Sequence, residues 1–146
     1  LGASAAINYR EAEFGAQTAE LTDGRGVDVV LDLVGAPYFE RNLRSLAMDG
    51  RLVEVATQLG AVVEKLDLFH VMRKRLVITG STMRPRTPAE KGAIATALRE
   101  RVWPVLAAGR CGPVVHAIFP LAEAAKAHAL MESGVHIGKI VLWVAD

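Results

Sequence analysis

One apolar run, Val27-Asp28-Val29-Val30-Leu31-Asp32-Leu33-Val34, narrows what this chain can become more than any other feature. It is β-branched and apolar almost throughout, so it reads as a strand in the centre of a parallel sheet. Helix-length segments alternate with further short runs of the same kind along the chain. That alternation predicts an α/β fold with a mostly parallel, doubly wound sheet and right-handed crossovers. Hydrophobic residues make up 51% of the 146 positions, which suits a sheet buried on both faces. A chain of this length can bury a core without metal or disulfide.

The elements can be placed from local signals. Leu1-Gly2-Ala3 reads as the end of a helix, with Gly2 as a left-handed stop, and Ala5 to Asn8 as a short strand closed by Asn8-Tyr9-Arg10. Phe14, Thr18 and Leu21 share one face of a helix running to about Thr22. Asp23 to Gly26 is turn chemistry, and Gly35-Ala36-Pro37 ends the strong strand. Phe39, Leu43, Leu46 and Ala47 form the stripe of a helix stopped by Asp49-Gly50. Arg51 to Ala56 is the next strand. Leu66 to Arg75 is a helix with Leu68, Phe69 and Met72 available to pack, and Leu76 to Thr79 is a further strand. Thr87-Pro88-Ala89-Glu90 forms a capping box. Its helix turns Ile94, Leu98, Val102 and Val105 inward and is kinked by Pro104 near Trp103. Val114 to Phe119 is a strand, Leu121 to Glu132 a helix closed by Ser133-Gly134, and Lys139 to Val144 the last strand. Neither a leading strand nor a glycine-rich turn precedes these units, so the expected fold is a partial Rossmann-type sheet lacking its first strands.

Composition excludes several classes. No apolar stretch approaches the ~18 residues of a membrane span, and no secretion signal is recognisable. A net charge of +1 offers no field for nucleic acid or a lipid surface. Cys111 is the single cysteine, which rules out a disulfide framework and makes a cytoplasmic setting the default. The basic cluster Arg73-Lys74-Arg75 reads as cations favoured at a helix C-terminus.

In such sheets ligands bind beyond the carboxyl ends of the strands. The segments to search are Asn8-Tyr9-Arg10, Leu33-Val34-Gly35, Ala56-Thr57-Gln58 and Thr79 to Arg84. They are rich in small and amide-bearing residues that can lie against a flat ring or meet a carboxamide, and they also suit plain turns. Asp28 stands at a strand start, away from any site, and Asp32 reads as an acceptor for loop amides rather than a base. His70, His116 and His128 read as structural, with no partner at metal-ligand spacing. His136 lies in the loop feeding the last strand. Cys111 has no cue to a lowered pKa, and no nucleophile elbow, P-loop or zinc signature is present.

Four segments together resemble the medium-chain dehydrogenase/reductases: residues 5–10, 22–35, 80–86 and 138–142. Pro120 to Ala124 and Met131 to Gly134 extend the likeness over essentially the whole chain. The branch most similar is the zinc-independent NADPH quinone oxidoreductases. Members are about twice as long, so the resemblance implies that residues 1–146 correspond to the C-terminal part of a Rossmann domain plus a return segment. The catalytic domain and the G-x-G-x-x-G fingerprint would then lie outside the chain. It implies NADPH as cofactor, with Tyr9 beside the adenosine ribose and its 2′-phosphate. Val34, Gly35, Ala56, Thr57, Gln58, Ser81, Thr82 and Met83 would line the nicotinamide side, and His136 would reach the same cleft. Any zinc ligands would lie in the absent part.

The expected function is that of part of an oxidoreductase passing hydride from NADPH to a quinone or other conjugated carbonyl. No catalytic side chain is expected within the chain, which alone should be inactive. Alternatives are an enoyl-thioester reductase, a zinc-type alcohol dehydrogenase, or a non-catalytic interaction module. The apolar strand Leu76 to Thr79 should be a sheet edge, and edges without charge or proline pair readily with a second copy. The resemblance likewise implies a homodimer through this strand.

Overall fold

The computed structural model describes residues 2–144. Leu1, and with it part of the expected helix end, lies outside the described residues, although Gly2 does adopt a left-handed φ of +88°. The chain divides into two compact units, residues 2–87 and 88–144. All strands pair in parallel within an α/β fold, as the alternation of elements requires.

In the first unit, α1 (Phe14–Leu21) precedes β1 (Val27–Asp32), α2 (Ala36–Ser45), β2 (Leu46–Glu54), α3 (Leu68–Lys74) and β3 (Val77–Gly80). The sheet order is β1-β2-β3. Glu13 caps α1 by accepting from the Gly15 and Ala16 amides, and these bonds hold its carboxyl below the usual range. Both crossovers step the same way along the sheet, so right-handed connections bring α2 and α3 to one face. There Leu43, Leu46, Leu52 and Leu76 form a buried core flanked by Val27, Val30, Phe39 and Val71. Leu46 and Leu52 are fully enclosed, worth about 1.5–3 kcal/mol each in removed apolar surface.

Three expectations need correction. Residues 5–8 are not a strand, because a strand exists only through a ladder partner and none of the described residues supplies one. The run at 27–34 sits at a sheet edge rather than the centre, with Val29 and Leu31 exposed, so burial is met on one face only. The helix ends at Ser45, before Asp49-Gly50. Val27 pairs with Leu46 but Val29 pairs with Arg51, so residues 47–50 bulge within β2, with Asp49 at a left-handed φ of +60°.

The apolar face expected of α3 is also reversed. Leu68, Phe69 and Met72 are exposed, whereas His70, Val71 and Lys74 are half-buried. Asp67 caps the helix by accepting from the His70 amide at 3.1 Å and so sets its phase. The His70 ring nitrogen Nε2 meets the Leu43 carbonyl at 3.2 Å. Lys74 Nζ donates to the carbonyls of Arg44 at 2.9 Å and Leu46 at 2.5 Å. These groups satisfy carbonyls that the end of α2 leaves without helical partners, which apolar side chains could not do. Burial lowers the Lys74 pKa, with the charge of Arg73 adding to it. Arg75 closes the helix in the left-handed region and pairs with Asp49 through two bonds of 2.7 and 2.6 Å.

The second unit contains α4 (Pro88–Arg101), α5 (Trp103–Ala107), β4 (Val115–Pro120), a short 3-10 turn, α6 (Ala124–Ser133) and β5 (Lys139–Trp143). The helix breaks at Val102, since Pro104 has no amide proton to continue the ladder. Ile94 and Val105 are half-buried, while Leu98 and Val102 stay exposed. β4 and β5 pair in parallel under α6, which Gly134 ends in the left-handed region. No described helix is long and apolar enough to cross a membrane.

Candidate functional site

The carboxyl ends of β1, β2 and β3 lie level, because Asp32 pairs with Glu54 and Glu54 with Gly80. The loops that follow are sewn together by backbone bonds. Gln58 N–H donates to Leu33 O at 3.3 Å, Leu59 N–H to Val34 O at 3.0 Å, and Ala36 N–H to Gly60 O at 2.9 Å. Ser81 N–H donates to Glu54 O at 2.9 Å and brings the third loop alongside. The result is a shelf carrying Val34, Gly35, Ala56, Thr57, Gln58 and Ser81.

Gly35 makes the closest approach on that shelf. Its φ is +92°, and a Cβ there would stand 2.3 Å from Gly60 O and 3.0 Å from Thr57 Cα. Only glycine satisfies both the angle and the space. Asp32, 4% exposed, accepts from Val34 N–H at 2.7 Å and Gly35 N–H at 3.0 Å, the amide-acceptor role its position suggests. Glu54 sits beside it with both carboxylate oxygens buried and no backbone amide or cation donating to them.

A groove of about 370 Å³ adjoins the shelf through Val34, with Ile7, Tyr9, Leu33, Tyr38 and Asn42 among its lining. Asn8 positions Tyr9, since its side chain accepts from Arg10 N–H at 3.2 Å and its carbonyl from the amides of Glu11 and Ala12. The Tyr9 ring lies edge-on to Tyr38 at 6.3 Å, and Tyr38 contacts Phe14 at 5.2 Å. Arg41 stacks over Tyr38 at 4.4 Å and Phe14 at 4.9 Å, and Arg10 stands 6.0 Å from Tyr9. Sequence reasoning missed Tyr38, Arg41 and Asn42. The i,i+3 spacing of Tyr38 and Arg41 on a helix was the available signal, but it does not say which way the pair faces.

The remaining expected residues are less tightly gathered. Thr82 and Met83 lie in the turn after β3, where Arg86 Nε donates to Thr82 O at 3.1 Å and Arg86 N–H to Met83 O at 3.3 Å. Met83 is exposed. His136 belongs to the second unit, where its ring stands 6.2 Å from that of His116 and its Nδ1 is buried without a partner. Ile137 N–H donates to His116 Nδ1 at 3.4 Å, a histidine pairing that sequence spacing did not reveal. Another cavity, of about 430 Å³ between α2 and α3, contains none of the expected residues.

In open parallel α/β sheets ligands bind beyond the carboxyl ends of the strands, which is where this shelf lies. Comparison with known proteins agrees, as the family profile described as "Zinc-binding dehydrogenase" matches residues 1–142. The chain belongs to the zinc-binding dehydrogenase family. It is 30% identical over 141 residues to the lovastatin diketide synthase lovF of Aspergillus terreus, covering 95% of this chain and 6% of that protein. It is 29% identical over 128 residues to the acryloyl-coenzyme A reductase of Metallosphaera sedula, covering 88% and 36% respectively. The Escherichia coli quinone oxidoreductase solved with NADPH superposes with a TM-score of 0.71 at 27% identity, covering 94% of this chain and 42% of that one. The chain thus spans less than half the length of each, and within the medium-chain dehydrogenase/reductases it matches a Rossmann-like NAD(P)-binding portion.

Among the described residues no three His, Cys, Asp or Glu side chains converge to hold an ion, and Cys111 is exposed and free. The residues present therefore do not fit a zinc centre. Their chemistry is compatible with a nicotinamide dinucleotide. Tyr9 offers an exposed ring, and the buried Nδ2 of Asn42, which also lines the groove, lacks a hydrogen-bond partner.

Proposed function

We propose that this chain is the cofactor-side part of an NADPH-dependent reductase acting on a quinone or another conjugated carbonyl. The observation that carries the reading is the shelf at the ends of β1, β2 and β3, which meets the Tyr9 groove at Val34. In this reading Tyr9 packs on the adenosine, with Arg10 and Arg41 supplying positive charge nearby. Val34, Gly35, Ala56, Thr57, Gln58, Ser81, Thr82 and Met83 lie along the nicotinamide side. NADPH supplies the hydride when bound, and the chain's residues bind and orient it. The free edge of β3, with Val77 and Ile78 partly exposed, is assigned to a second copy, and the protein to the cytoplasm.

A second reading, reduction of a conjugated thioester, draws support from the likeness to an acryloyl-coenzyme A reductase. It uses the same shelf and the same hydride donor, and differs in the acceptor.

Titrating NADPH into the isotope-labelled chain and following backbone amide shifts tests the site. Saturable shifts are expected at Tyr9, Val34, Gly35, Thr57, Gln58 and Ser81. No shift at these amides, or a cluster of shifts elsewhere, would overturn the assignment. Without a G-x-G-x-x-G turn to take the pyrophosphate, the 146-residue chain should bind weakly and not oxidise NADPH by itself.

A further inference from the structure

Two carboxyl groups meet at the base of the shelf without an obvious structural need. Asp32 and Glu54 are register partners on adjacent parallel strands, spaced about 4.8 Å apart, so their side chains share one face. They follow Val30 and Leu52 on the core side of the sheet, where apolar residues are the norm. The two are treated very differently by their surroundings. Each Asp32 oxygen accepts a loop amide, from Val34 and from Gly35. Glu54 has both oxygens buried, with no backbone amide or cation donating to them. A buried carboxylate with no such donor beside a second carboxylate is the arrangement that proteins avoid by keeping a proton.

Asp32 is the charge that acts on Glu54, and Arg86 in the turn after β3 donates to Thr82 O and Ser81 Oγ. β3 and its turn bring Thr79, Gly80 and the Ser81 amide, which donates to the Glu54 backbone carbonyl rather than to its side chain. From α2 the core receives Phe39 and Leu43, and from α3 Val71. His70 and Lys74 on α3 are held by the carbonyls of Leu43, Arg44 and Leu46 near the opposite end of β2. Asp67 keeps its carboxylate on the His70 amide. Burial first, then the Asp32 charge and a side-chain hydrogen bond with Asp32, push the Glu54 carboxyl above its usual range.

We propose that Asp32 and Glu54 form a one-proton carboxyl pair that positions the Val34–Gly35 loop, Asp32 accepting the loop amides and Glu54 holding the proton beneath it. Glu54 is a positioning residue and touches no substrate. Losing its proton would place two negative charges side by side under the loop. The loop amides would then be held by a carboxylate repelled from below, and the loop would loosen. The sign follows from linkage: the folded state binds this proton more tightly than the unfolded chain does, so stability falls as pH rises through the window above the ordinary glutamate range. The consequence for cofactor affinity rests on the reading of Val34 and Gly35 given above, whereas the pair itself does not.

The test is carboxyl carbon NMR of Glu54 and Asp32, with amide shifts of Val34 and Gly35, over pH in the cofactor-free chain. Glu54 should titrate above the ordinary carboxylate range, and the two amides should shift with the same midpoint. Glu54→Gln should abolish that inflection at both amides and flatten the fall of thermal stability with rising pH. An ordinary Glu54 titration, or loop amides that ignore it, overturns the proposal, and the wild-type measurement alone decides if the variant does not fold. Repeating the NADPH titration below and above the Glu54 midpoint separates the two readings. Absent NADPH shifts with an intact pair would sink the cofactor assignment only.

Discussion

Replacing Gly35 with alanine asks whether the shelf is built by close backbone approach. The structure supplies its own control in Gly24, which also needs a left-handed angle, with φ of +77° against +92° at Gly35. Around Gly24 a Cβ would meet nothing within 4 Å, whereas at Gly35 it would lie 2.3 Å from Gly60 O. An alanine forced to a positive φ costs about 1–2 kcal/mol, and that is the whole expected loss for Gly24→Ala. For Gly35→Ala the Gly60 carbonyl must also move, and it accepts the Ala36 amide at 2.9 Å. Overpacking of this kind adds about 1–3 kcal/mol, so the total is about 2–5 kcal/mol. Urea unfolding followed by circular dichroism measures both variants against wild type. Amide shifts at Thr57, Gln58 and Leu59 should move in Gly35→Ala and stay fixed in Gly24→Ala. Equal destabilisation of the two variants, with unchanged loop amides, would show that the angle alone matters and refute the close-packed shelf.

Two further outcomes are expected. Tyr9→Ala should weaken NADPH binding about five-fold for each 1 kcal/mol of stacking lost, while Tyr9→Phe keeps most of the affinity; equal binding by all three would make Tyr9 a packing residue only. Ile78→Lys should convert a dimer to a monomer by light scattering, since a charge on an open edge blocks strand pairing. A wild-type monomer at high protein concentration would remove that assignment.

The strongest local signals in the sequence were reliable because their causes are local. Gly134 stops its helix by its own backbone freedom, and Pro104 breaks α4 from α5 because it lacks an amide proton. Asp32 could be read as a loop acceptor from its place two residues before Val34, since such bonds span only neighbouring residues. The alternation of strand and helix likewise fixed the parallel α/β class, because two parallel neighbours need a long crossover between them.

Everything that depends on a partner distant in sequence was decided by the tertiary structure. Residues 5–8 contain one strong strand former, Ile7, and pairing also requires a ladder that local preference cannot supply. The inward face of α3 went to His70, Val71 and Lys74 because the carbonyls ending α2 lie within their reach, a demand that hydrophobic periodicity cannot register. Tyr38 met Phe14, and Arg41 came to stack over both rings, only when α1 packed on α2. Asp32 and Glu54 stand 22 positions apart, and only the β1–β2 register places one carboxyl beside the other. Local residues set the angles and stops of this chain; the sheet register and helix packing chose which side chains meet, because the free energy of those contacts exists only once both partners are in place.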